Sequence, residues 1–97
     1  MGDSIGPVRA SVTLRNRKGL HARASAKFVK CAHGFPARIR VSRGGETVGG
    51  GSIMGLMMLA AGPGSKLTVH AQGHDASQAL AELETLFKKK FDEDKAP

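Results

Sequence analysis

The sequence predicts an α+β fold, a four-stranded antiparallel sheet with three helices on one face, in the order β-α-β-β-α-β-α. Three observations carry the prediction. Three segments alternate apolar and polar residues with a period of two, and a short fourth follows a Gly-Gly turn. Three other segments are apolar at helical spacing or apolar throughout. Glycine and proline separate nearly all of them. Strands with one apolar and one polar face are those of an antiparallel sheet covered on one side.

In chain order, residues 1–7 hold two glycines and a proline and are expected to be a disordered lead-in. Val8, Ala10, Val12 and Leu14 alternate with Arg9, Ser11 and Thr13, which predicts the first strand. Asn16–Gly19 is polar and turns the chain. A helix then runs from about His21 to Ala32, with Ser25, Phe28, Val29 and Ala32 on one face and Ala22 beside them. Gly34 and Pro36 end it. Ala37, Ile39 and Val41 alternate with Arg38, Arg40 and Ser42 in the second strand. Gly44-Gly45 is a hairpin signal, and Glu46–Val48 is the third strand.

Gly49-Gly50-Gly51 is read as a flexible connector; it lacks the lysine and spacing of a Walker loop. Ser52 is placed to cap a short helix, Ile53–Leu59, in which Leu56 and Leu59 face the core. Gly62-Pro63-Gly64 breaks it. Leu67, Val69 and Ala71 mark the fourth strand. Asp75 is the expected cap of a long helix whose stripe is Leu80, Leu83, Leu86, Phe87 and Phe91. Lys88, Lys89 and Lys90 suit the negative end of its dipole. Residues 8–91 thus form one domain, and residues 92–97 are expected to fray.

Size and charge bound the function. Ninety-seven residues make one domain with a modest core. A single cysteine, Cys31, excludes an internal disulfide and fits a reducing compartment. There is no long apolar run for a membrane span, and residues 1–7 are too short and polar for a secretory signal, so a cytoplasmic protein is expected. The net charge of +7 suits acidic partners. Arg15, Arg17, Lys18, Arg23, Lys27 and Lys30 cluster in sequence around His21. Trp and Tyr are absent, which disfavours a base-stacking platform.

The informative stretch is Gly19-Leu20-His21-Ala22-Arg23-Ala24-Ser25. It places an imidazole and a guanidinium at the start of a helix. Amides there have no helical partner, and the dipole adds about half a positive charge. A neutral imidazole is a nucleophile, and Arg23 is suited to grip two phosphoryl oxygens. From the residues alone, a histidine at a helix start is also a cap or surface residue. The reading adopted is that His21 accepts and gives up phosphate, held by the amides of Ala22 and Arg23. Which ring nitrogen attacks is not legible.

This stretch resembles the active-site segment of the HPr family, the histidine-containing phosphocarriers of the bacterial phosphotransferase system. Gly19, Leu20, His21 and Arg23 match the family pattern Gly-Leu-His-x-Arg-Pro-Ala. Ala24 and Ser25 depart from it, where proline and alanine are usual. The element order is also that of the family, an open-faced sandwich, and the resemblance runs from about Val8 to Phe91. It implies attack through Nδ1, loading by enzyme I charged from phosphoenolpyruvate, and donation to an EIIA-type protein. Ser52-Ile53-Met54-Gly55-Leu56 resembles the family segment whose serine is phosphorylated by a dedicated kinase, which implies regulation at Ser52. Without the resemblance Ser52 is a helix cap.

The expected docking surface combines Arg23, Lys27 and Lys30 with Ile53, Met54 and Met57, basic groups for steering and an apolar patch for contact. No cofactor and no metal are expected. His70 and His74 are four apart but fall on a strand and the turn after it, and His33 stands alone. No membrane insertion and no nucleic-acid partner are expected, and the chain is expected to be a monomer. Two alternatives stand beside this reading: a regulatory, nitrogen-type member of the same family, and a small basic nucleic-acid-binding module.

Overall fold

The computed structural model describes residues 5–93. Its elements are β1 (Val8–Thr13), α1 (Ala22–Ala32), β2 (Arg38–Arg43), β3 (Glu46–Gly49), α2 (Ile53–Met57), β4 (Lys66–Gln72) and α3 (Ala76–Lys88), followed by a 3₁₀ turn at Lys90–Asp92. The sheet order is β1-β4-β2-β3, and every pairing is antiparallel. This is the α+β open-faced sandwich that the pattern predicts.

Alternation decides which side is covered. Val12, Ile39, Val41, Leu67, Val69 and Ala71 point under the helices and are buried. Arg9, Arg38, Arg40 and Gln72 lie on the other face and are exposed. The helices supply Phe28, Leu56, Leu80, Leu83 and Phe87 to the same core, with Leu59 just beyond α2. Phe87 meets Phe28 and Phe91 edge-on, at centroid distances of 6.1 and 4.9 Å.

Several local expectations need correction. His21 is the N-cap of α1 rather than its first residue, and Ala22 is exposed rather than beside the buried face, which includes Ala24. The triple glycine is no loose connector. Gly49 is the last residue of β3, and the Gly50 N–H donates to the Ile39 carbonyl at 2.8 Å. Gly50 is buried, and a Cβ there would stand 2.7 Å from Ile39 Cγ2 and 3.0 Å from Phe28 Cε1. Glycine is required by close packing, not by flexibility.

Asp75 precedes α3 but does not cap it with its side chain; its backbone is left-handed, at φ 62°. Phe91 joins the aromatic cluster from outside the helix. The chain leaves α3 after Lys88, and Lys90, Phe91 and Asp92 all have φ between 55° and 59°. The tail expected to fray from residue 92 is held at Glu93, whose carboxylate accepts from Asn16 Nδ2 at 3.0 Å. At the other end, the Gly73 N–H donates to the carbonyl of Ile5, within the expected lead-in, at 2.7 Å. Residues 1–4 and 94–97 lie outside the described residues.

Candidate functional site

The loop before α1 is shaped by Gly19 and Asn16. Gly19 has φ 69° and passes so close to Ala61 that a Cβ would stand 2.5 Å from its carbonyl oxygen. A side chain is excluded there by both conformation and space. The Leu20 N–H donates to the same Ala61 carbonyl at 2.9 Å. Asn16 is fully buried, and its Nδ2 donates to the Gly19 carbonyl at 2.7 Å. These bonds fix the chain just before His21, so the imidazole arrives at the head of α1 in one place.

His21 caps the helix through its ring. Its backbone is extended, and Nδ1 accepts the Arg23 N–H at 3.1 Å. Nδ1 therefore carries a lone pair and no proton. That lone pair lies where the first-turn amides and the dipole favour an anion. The side chain is 27% exposed, open enough for a partner to reach. Ala22 and Arg23 are exposed beside it, and Arg23 lines the same depression as Lys18 and Lys27.

The other edge of the ring is occupied. Nε2 lies 2.7 Å from Glu93 Oε2, although the approach is off the line of the ring N–H bond. Desolvation opposes ionisation of Glu93. The hydrogen bonds from His21 and Asn16, with the charges of His21 and Lys27, outweigh it and hold the carboxyl below its ordinary range. Lys27 is half-buried, and its Nζ donates to the Phe91 carbonyl at 2.6 Å, tying the last turn to α1. Sequence reasoning missed Asn16 and Glu93. Asn16 sits in a turn where its side-chain bonds leave no sequence pattern, and Glu93 lies in a charged tail without periodicity.

Ser52 is the N-cap of α2. Its Oγ accepts the Gly55 N–H at 3.0 Å, and the residue is exposed. In and just after that short helix, Leu56 and Leu59 are buried, while Ile53, Met54 and Met57 are 39%, 73% and 42% exposed. Met58, at 72%, extends the apolar patch and was not singled out from the sequence. Helices α1 and α2 pack against each other. Lys30 is exposed on α1.

Two other basic residues are used elsewhere. Arg15 lines a depression with Glu84 and Lys88, and Arg43 donates to the Leu59 carbonyl at 3.1 Å, just beyond α2. His70 Nε2 is 3.1 Å from Ser42 Oγ on the open sheet face. Among the described residues no three His, Cys, Asp or Glu side chains are grouped to hold a metal. Cys31 is partly buried; desolvation first, and then the charge of Glu82, raise its pKa, so the thiol stays protonated and poorly nucleophilic.

Residues 8–89 match the family model described as the PTS HPr component phosphorylation site. The chain belongs to the HPr family. Among curated relatives, the phosphocarrier protein HPr of Pseudomonas aeruginosa is 48% identical over 83 residues, covering 84% of this chain and 92% of the relative. That of Cupriavidus necator is 43% identical over 86 residues, covering 89% and 97%. Among solved structures, HPr-C-His from Thermoanaerobacter tengcongensis superposes with a TM-score of 0.86 at 34% identity, over 91% of this chain and 99% of that one. Phosphocarrier function in the phosphotransferase system comes with HPr membership.

Proposed function

We propose that His21 is the carrier: Nδ1 accepts a phosphoryl group from phosphoenolpyruvate-charged enzyme I and passes it to an EIIA-type protein. One observation carries this reading. The unprotonated Nδ1 of an accessible histidine faces the first-turn amides of a helix, with the Arg23 N–H 3.1 Å away. Transfer of a phosphoryl group needs an in-line nucleophile and charge stabilisation more than further protein chemistry. When Nδ1 takes phosphorus, its lone pair no longer caps the helix. The Arg23 amide is released to a phosphoryl oxygen, beside the Ala22 amide and the Arg23 guanidinium.

Partner docking is assigned to Arg23, Lys27 and Lys30 with Ile53, Met54, Met57 and Met58. The exposed apolar patch is the kind of surface that seats a partner, and the basic rim steers an acidic one. Lys27 contributes charge while its ammonium stays anchored at Phe91. Phosphorylation of Ser52 by a dedicated kinase would leave α2 capped, since phosphate suits a helix N-terminus. It would also put nearly two negative charges beside the patch and weaken docking to an acidic surface. A cytoplasmic location fits this relay.

The test is incubation with enzyme I and phosphoenolpyruvate, wild type beside His21→Ala. Acid-labile, alkali-stable phosphate on wild type alone is expected; equal labelling of the variant overturns the assignment. A regulatory, nitrogen-type role keeps the same chemistry and differs only in the acceptor that takes the phosphate. A nucleic-acid module would instead show steeply salt-dependent binding indifferent to the imidazole.

A further inference from the structure

We propose that Glu93 is a positioning residue for phosphoryl transfer, holding the single proton of neutral His21 on Nε2 so that Nδ1 attacks and later leaves as part of a neutral imidazole. The proposal rests on the reading of His21 as the carrier.

The geometry fixes where the proton is. Nδ1 accepts from the Arg23 amide and carries none. Nε2 and Glu93 Oε2 are both sealed from solvent, and they are 2.7 Å apart. Two lone pairs at that distance would repel, so Nε2 carries the proton, although its N–H does not point straight at the carboxylate. The carboxylate is built into place. Asn16 Nδ2 donates to its other oxygen at 3.0 Å, and Asn16 is itself fully buried. Lys27 anchors the preceding turn at the Phe91 carbonyl, and Phe91 is buried. The other charged groups around the site are Lys18 before the ring, Arg23 and Lys27 on α1, and Asp92 beside Glu93.

The chemistry gives that proton a task. On loading, the Nδ1 lone pair forms a bond to phosphorus, and the bond from phosphorus to the donor breaks with its electron pair going to the donor. The ring then carries positive charge, with Nε2 still protonated. On donation the Nδ1–P bond breaks and its pair returns to Nδ1. With Nε2 protonated the leaving group is neutral imidazole; without that proton it is imidazolate, a far poorer one. A carboxylate beside Nε2 compensates the positive ring and keeps the proton on it, as a buried aspartate does for the imidazole of a Ser-His-Asp triad. The off-line approach in the unloaded protein is of the kind that tightens once charge develops.

The test compares wild type with Glu93→Gln, Glu93→Ala and Glu93→Asp, each first checked to be fully folded at the assay temperature across the pH range used. Ring ¹⁵N shifts of unphosphorylated protein, at a pH where the ring is neutral, report the tautomer without any phosphate. Wild type is expected to be the Nε2–H form, and Glu93→Ala to show the two nitrogen shifts drawn together. Protein loaded with phosphoramidate is then followed by ³¹P NMR during hydrolysis from pH 6 to 9. Glu93→Gln is expected to lose phosphate about tenfold more slowly than wild type at the alkaline end, the size of a one-unit shift in ring protonation, and equally fast at pH 6. Glu93→Asp restores part of the difference. Superimposable hydrolysis profiles with unchanged ¹⁵N shifts overturn the proposal. Wild type that takes no phosphate at His21 overturns the carrier reading itself, and is told apart because the nitrogen shifts do not depend on loading.

Discussion

The backbone N–H of Arg23 points at Nδ1 of His21, 3.1 Å away. The atom that caps α1 is therefore the atom assigned to bind phosphorus. Helix capping and phosphoryl acceptance compete for one lone pair, and the two can be separated by substitution.

His21→Asn keeps a capping side chain and removes the nucleophile; His21→Ala removes both. Both variants lose the contact with Glu93, so the cap is read from their difference: His21→Ala is expected to be about 1 kcal/mol less stable than His21→Asn in urea unfolding, the usual size of a lost N-cap. Neither variant takes acid-labile phosphate. Stable labelling of His21→Asn would place the carrier elsewhere.

Arg23→Ala leaves the backbone amide in place and removes the guanidinium. Charge-assisted hydrogen bonds contribute about 1.5–3 kcal/mol, so loading rates are expected to fall about tenfold to a hundredfold. Stability should stay within about 0.5 kcal/mol, because the side chain is exposed. Quench-flow labelling and urea unfolding measure the two.

Gly50→Ala forces a methyl group toward Ile39 and Phe28. It is expected to cost about 1–3 kcal/mol in unfolding free energy, as overpacked cores do. Gly45→Ala is the control. It meets nothing within 4 Å, and should be near neutral.

The Glu93 carboxyl is held below its ordinary value of 4.5 when folded. A depressed carboxyl contributes stability at neutral pH, and that contribution is lost as pH falls through the folded value, below 4.5. Wild type should therefore exceed Glu93→Gln in melting temperature at pH 7, and the two should converge in acid. A gap that widens toward pH 3 would contradict the assignment.

Met54→Asp alters an exposed side chain and is expected to leave stability within about 0.5 kcal/mol. If α2 seats the partner, affinity for an acidic acceptor should fall at least about tenfold, as at an interface anchor. Calorimetric titration of each chain with that acceptor measures it.

The sheet was legible because alternation is a local signal. Val8–Leu14 and Leu67–Ala71 announce their buried side without knowing their neighbours. The caps were legible where side chain and amide lie three residues apart, as Ser52 and Gly55 do. Gly50 was misread because tight packing and flexibility leave the same letter in a sequence. Phe91 continued a helical stripe by spacing, but the chain leaves the helix before it and reaches the same core by a left-handed turn. Half of the candidate site was hidden for a related reason. Glu93 meets His21 across seventy-two positions of chain, and no periodicity encodes such a meeting.

That left-handed turn has a consequence for chain length. Lys90, Phe91 and Asp92 adopt a conformation that disfavours side chains by about 1–2 kcal/mol each, and the burial of Phe91 among the aromatic rings offsets it. Inserting or deleting one residue between Phe91 and Glu93 would leave the buried ring in place and aim the acidic arm away from the imidazole. The C-terminal segment works as a ruler, and its span is under the same constraint as the histidine it touches.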